Sequence, residues 1–181
     1  MSILHLKSNL LLLFQECSEK IKQEGKLWYP AAQVYFCDLA KKYNLREDTI
    51  LGIVAALSPF VSWQTQLKQT ETFLLTQNFP GFKSNILAAR RILNGVPPGF
   101  VLKGQKVSVF FANLMGNTSH VTLDRHAISA AVGRKIGQHE KLSRTMFNQI
   151  RTAYMEAADM VKPQINVRDF QAIIWNWWKS K

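Results

Sequence analysis

The sequence predicts an all-α fold. Three observations carry that prediction. Glycine and proline are scarce, 9 and 6 in 181 residues. Apolar residues recur at spacings of three and four, the period of a helix face. No apolar–polar alternation of the kind a half-buried strand needs persists for more than a few residues.

The punctuating residues fall at Gly25, Pro30, Pro59, Pro80-Gly81, Gly95 to Gly104, Gly116, Gly133 to Gly137 and Pro163. The text between them reads as helix. Ile3–Glu24 carries the three-and-four spacing, and its apolar run Leu10–Phe14 is one helix face. Ala31–Tyr43 is helical, with Asn44 as a stop. Arg46–Ser58, containing "EDTILGIVAAL", has acids in its first turn, where the helix dipole favours them. Gln64–Gln77 is a polar-rich helix. Phe82–Asn94 sets "NILAARRIL" apolar on one face, with Arg90 and Arg91 on another. Gln105–Met115, Arg125–Gly133, Ser143–Lys162 and Val167–Trp178 complete the series. No repeat, low-complexity tract or long linker interrupts it.

The length and a hydrophobic fraction of 47% suffice for one well-cored unit. Only 19% of residues are charged, which argues against a disordered tail. The balance is lopsided, 23 Lys+Arg against 12 Asp+Glu, a net +11. Such a surplus points to a polyanionic partner, most often nucleic acid. Two cysteines, Cys17 and Cys37, are too few for a disulfide framework or a four-cysteine metal site, and a reducing cytoplasm fits them. Leu10–Phe14 is far too short to span a bilayer.

The stretch "GQKVSVFFANLMGNTSHVTLDRH" holds the most chemistry. Lys106 and Asp124 each open a predicted helix. A helix from Lys106 to Met115 advances about 14 Å. The following "GNTSHVTL" begins with turn formers and, extended, spans up to about 26 Å, so the chain can return toward the level of Lys106. A lysine at a helix N-terminus feels the positive end of the dipole, and burial likewise favours the neutral, nucleophilic amine. An aspartate within reach can accept a proton or stabilise a sugar cation. Both residues have a second reading. Asp124 before "RHAISAAVG" is a good N-cap on composition alone, and Lys106 can be one more solvated lysine of a basic protein.

This segment resembles the core of the helix-hairpin-helix DNA glycosylase superfamily, the endonuclease III-like group. There a hairpin is followed by a lysine, a helix and a short return ending in V-D-x-H. The lysine-to-aspartate spacing of the lyase-type members is matched without a gap by Lys106 and Asp124, and His126 matches the histidine that follows. "ILGIVAALSPFVSWQTQ" resembles the helix and loop that enter DNA near the target base. "GFKSNILAARRILNGVPPGF" resembles the helix leading into the hairpin. The similarity covers roughly Arg46 to Gly133. A second resemblance covers nearly all of the chain. "ALSPFVSW", "KVSVFFANLMG", "VTLDRHA" and "QAIIWNWW" are similar to an uncharacterised, largely phage and bacterial branch of the same superfamily.

The resemblance implies a two-lobed helical bundle of the glycosylase type within one compact unit. One lobe, 46–134, would carry the hairpin. Residues 1–45 and 135–181 would form the other. It implies cleavage of the N-glycosidic bond of a flipped, damaged or modified base in double-stranded DNA, with or without strand cleavage. Lys106 would be the nucleophile, with Asp124 its activator or the stabiliser of the charged sugar. Phosphates would be held by amides near Gly104 and Gln105, with Lys103 adding charge. Trp63 and Gln64, in the loop after Ser58-Pro59, would plug the stack. Arg125 and His126 would meet a phosphate or line the pocket. No cofactor, metal or iron–sulfur cluster is expected. A single copy in the cytoplasm of a bacterial or phage-infected cell fits these implications. The hairpin departs from the family pattern: Phe100-Val101-Leu102-Lys103-Gly104 keeps only its second glycine.

Other residues compete with this site. Trp63 is equally suited to a core. Trp175, Trp177 and Trp178 suit base stacking, but a packing role for the last helix accounts for them better. Asn113 amid "FFANL" needs a partner if buried, and reads as support for the return strand. His120, Asp124 and His126 match no closed metal site. Three further functions fit the same features: an enzyme that alters a base in phage DNA on this scaffold, a DNA-binding protein without catalysis, and a protein that binds or processes RNA.

Overall fold

The structure, a computed structural model, describes residues 2–59, 61–78, 80–137 and 140–181. The described residues contain helices and no strand, so the all-α prediction holds. The helices are α1 (Ile3–Glu16), α2 (Glu19–Lys42), α3 (Glu47–Leu57), α4 (Trp63–Thr76), α5 (Lys83–Leu93), α6 (Pro98–Val101), α7 (Gln105–Leu114), α8 (Arg125–Val132), α9 (Arg144–Met160) and α10 (Val167–Ser180).

Two helix boundaries correct the sequence reading. The first predicted break lay at Gly25 and Pro30, but the chain breaks at Cys17-Ser18 and α2 runs through both residues. Cys17 is extended, and the Ser18 hydroxyl accepts from the Ile21 amide at 3.3 Å, the cap that starts α2. Pro30 costs a helical hydrogen bond, and packing of the surrounding helix offsets it. Gly25 serves a different end. A Cβ there would sit 2.5 Å from the Ile173 Cα, so the glycine lets α2 and α10 touch backbone to backbone. The short α6 was not anticipated. Pro98 opens it, at a position where its missing N–H costs nothing.

Contacts group the chain into two units, Met1–Ala31 with Gly116–Lys181, and Ala32–Met115.

In the first unit α1 packs on α8 and α9, and α10 packs on α1, α8 and α9. Its core gathers Leu6 and Leu10 of α1, Ala127, Ala130 and Ala131 of α8, Ile150, Tyr154 and Ala157 of α9, and Phe170, Ile173 and Trp177 of α10. The alanines let the helices approach closely around the larger rings. Phe14 stacks on Phe170 at 5.2 Å. Asn9 donates to the Ala131 carbonyl at 3.0 Å, near the end of α8. Gly133 ends that helix in the left-handed conformation, at φ 77°.

In the second unit α3 is central. Thr49 to Leu57 are all buried, and α4, α5, α6 and α7 pack against it. Gly52 admits the ring of Pro98, whose Cγ would lie 2.5 Å from an added Cβ. That contact seats α6 on α3. The buried Gln66 side chain donates to the Val54 carbonyl at 2.7 Å, tying α4 to α3. Gln33 of α2 donates to the Leu114 carbonyl at 2.7 Å, closing the end of α7.

Candidate functional site

Asp124 is half-buried and is the N-cap of α8. Its Oδ1 accepts from the Ala127 amide at 2.8 Å, and its Oδ2 accepts from the Trp175 indole N–H at 2.8 Å. Both carboxylate oxygens are therefore fixed, one by its own helix and one by α10. The capping role read from composition is real. The bond to Trp175 is additional and was not foreseen.

The support around this carboxylate belongs to the same unit. Tyr154 is fully buried and its hydroxyl donates to the Ala127 carbonyl at 2.8 Å, bracing the first turn of α8 from below. Burial, with the Asp124 charge adding to it, holds the Tyr154 phenol well above its ordinary value of 10.0. The half-buried ring of Trp175 meets Trp28 edge-on at 5.9 Å and His126 edge-on at 6.3 Å. The Lys179 ammonium lies 4.1 Å from the Trp175 ring centroid. Tyr29 donates to the Thr122 hydroxyl at 3.2 Å, fixing the return segment just before Asp124. The Arg168 guanidinium lies over the Tyr29 ring at 5.1 Å, and its Nε donates to Asp169 at 2.9 Å. The close approach at Gly25 brings α2 near enough to α10 for Trp28 and Tyr29 to make these contacts.

His126 thus stands beside Asp124 in an aromatic group, whereas Arg125 is exposed in the first turn of α8. Trp175 and Trp177 have separate fates. Trp177 lies in the core with Trp178 packed against it, as the packing reading expected, and Trp175 faces the carboxylate. The buried Gln171, one turn before Trp175, has a side-chain oxygen without a hydrogen-bond partner among the described residues.

The second unit carries the remaining predicted residues. Lys106 is half-buried in the first turn of α7, and its ammonium donates to the Ser58 carbonyl at 3.4 Å. Ser58 is the C-cap of α3, so the lysine is anchored where the chain leaves that helix toward Trp63. Gly104 is the N-cap of α7, and no side chain caps that end. Gly104, Gln105 and Lys103 are exposed, and the Lys103 ammonium donates to the Gly99 carbonyl at 3.1 Å. Three residues, Leu102 to Gly104, connect the single-turn α6 to α7.

Trp63 and Gln64 occupy the first turn of α4, which Ser62 caps: Gln64 lies in a helix as the predicted Gln64–Gln77 segment has it, and the placement of the pair in the loop after Ser58-Pro59 does not hold. Trp63 is half-buried and meets Phe36 edge-on at 5.8 Å, and Gln64 is exposed. Asn113 is fully buried. A cavity of about 490 Å³ beside the start of α10, bordered by Ser119, Asp159 and Asn166, includes none of the predicted site residues. Among the described residues no three His, Cys, Asp or Glu side chains gather as a metal site, and His139 lies outside them. No described helix is long and apolar enough to cross a membrane.

Sequence alone foresaw Asp124 and Lys106 as residues at helix starts, because caps and helix periods are local. It missed Trp175, Trp28 and Tyr29 as neighbours of the Asp124 segment. The one available signal was the weak rule that a half-buried indole seeks an acceptor.

No curated protein and no solved structure matches the chain. Residues 2–181 match a family described as a family of unknown function (DUF7178), and the chain belongs to that family.

Proposed function

We propose that the protein is a DNA glycosylase that removes a flipped, damaged or modified base, with Lys106 as nucleophile and Asp124 as the assisting carboxylate. The observation that carries this reading is the state of Asp124. It is an ionisable group at a helix N-terminus, half-buried, with both oxygens held in fixed directions and aromatic rings beside it. A carboxylate so held suits a reaction that develops positive charge on a sugar. Lys106, half-buried on a helix start and anchored to Ser58, suits a nucleophile better than a freely solvated surface lysine does.

In the proposed reaction the Lys106 amine forms a bond to the sugar C1′. The base leaves with the electron pair of the glycosidic bond and takes up a proton. Opening of the sugar ring at the C1′–O4′ bond gives the imine. Water can release that imine, or loss of a C2′ proton from it can form the C2′=C3′ bond and expel the 3′ phosphate, cleaving the strand. Asp124 stabilises the charge at C1′. The net charge of +11 supports a duplex partner, and the exposed Lys103, Gly104 and Gln105 at the α7 start suit phosphate contacts.

Borohydride trapping tests this directly. Labelled duplexes carrying uracil, oxidised, alkylated or hydroxymethylated bases, or an abasic site, are incubated with the wild type, Lys106→Ala and Asp124→Ala. The expected result is a covalent adduct with a base-bearing duplex, absent from Lys106→Ala. No adduct and no base release on any duplex would remove the reading for those substrates.

A further inference from the structure

We propose that Trp175 is a positioning residue that sets the orientation of the Asp124 carboxylate. The proposal rests on the reading of Asp124 as the carboxylate of the site. A carboxyl group on a short side chain has two soft torsions, and one hydrogen bond leaves rotation about the other available. The Ala127 amide fixes Oδ1 at 2.8 Å, and the Trp175 N–H fixes Oδ2 at the same distance. With two donors on two oxygens, the plane of the carboxylate is determined.

The indole is itself held in place. Its ring meets Trp28 on α2 and His126 on α8, and Lys179 of its own helix lies over it. The donor therefore comes from a side chain whose position three elements define. A flexible donor such as lysine would follow the carboxylate; a packed indole directs it. An indole N–H also cannot take the carboxylate's place as a base, because it is a donor only. Trp175 thus acts through Asp124 and is assigned no contact with substrate.

The consequence is separable from packing. Trp175→Phe keeps a six-membered ring facing Trp28 and His126 and deletes the donor together with part of the bicycle's packing. The five tryptophans give five indole N–H resonances. The one missing in Trp175→Phe is that of Trp175, and the other four staying in place show that the variant is folded. Asp124→Asn is expected to shift that resonance far more than the other four. On the duplex that traps the wild type, Trp175→Phe is expected to lower kcat about tenfold with KM little changed, the loss of roughly one orienting hydrogen bond. A Trp175 resonance indifferent to Asp124→Asn overturns the proposal whatever the activity. A Trp175→Phe variant with full kcat overturns it too. A responsive resonance in a wild type that acts on no duplex supports the fixing of the carboxylate and removes the glycosylase reading instead.

Discussion

Asp124→Ala and Asp124→Asn separate the structural work of this carboxylate from its chemistry. Alanine removes both acceptors. Losing the α8 cap costs about 1 kcal/mol. Leaving the Trp175 N–H without its charged partner costs about 1–2 kcal/mol more, the low end for such a bond because the indole is half-exposed. The sum is about 2–3 kcal/mol, which for a chain of this size lowers Tm by roughly 4–12 °C. Asparagine has one acceptor oxygen and one donor nitrogen. It can satisfy the Ala127 amide as a cap, and then points its NH₂ at the Trp175 N–H. Its cost is therefore about 1–2 kcal/mol, from the second bond alone. Adding Trp175→Phe to Asp124→Asn removes the opposing donor, so the double variant should be about 1 kcal/mol more stable than additivity predicts. Urea unfolding of the wild type, the two single variants and the double variant measures that coupling. If Asp124→Asn is as stable as the wild type, or the cycle closes additively, Oδ2 is not held by Trp175 and the account of the site is wrong.

Three other outcomes follow from the same geometry. Gly25→Ala gains about 1 kcal/mol of helix propensity but places a Cβ 2.5 Å from the Ile173 Cα, a backbone atom that cannot rotate away. Net destabilisation of about 1–3 kcal/mol is expected by thermal unfolding, and an unchanged Tm would show that α2 and α10 do not approach so closely. The Tyr154 phenol is raised in the folded state, so its contribution to stability is complete below its unfolded value near 10.0 and is lost as pH climbs above that value. Tyr154→Phe should flatten the alkaline limb of a stability–pH curve, while losing about 1 kcal/mol at neutral pH with the bond to Ala127. For duplex binding, Lys103→Ala should weaken affinity similarly for all sequences and reduce the salt-dependence slope by about 1, read from a titration at several salt concentrations.

Local chemistry wrote much of this molecule into its sequence. Apolar spacing at three and four, with few glycines and prolines, determined a helical chain. Ser62, Asp124, Ser143 and Asn166 each cap a helix with their own side chains, an interaction that spans three residues and needs no tertiary partner. Gly133 stops α8 because its backbone can turn left-handed. The position of Lys106 at the start of a helix was legible for the same reason.

Tertiary structure decided what lies across the fold. Gly25 and Pro30 look like a helix end, yet α2 continues through them because burial against other helices outweighs a local break. The value of Gly25 is set by Ile173, far along the chain. The tryptophans of "WNWW" are alike in sequence, but Trp175 and Trp177 stand about 200° apart around α10, so one meets Asp124 while the other enters the core. Propensity and periodicity say which residues share a face of one helix. Which donor reaches a given carboxylate depends on how that helix lies against the next, and only the packed unit fixes it.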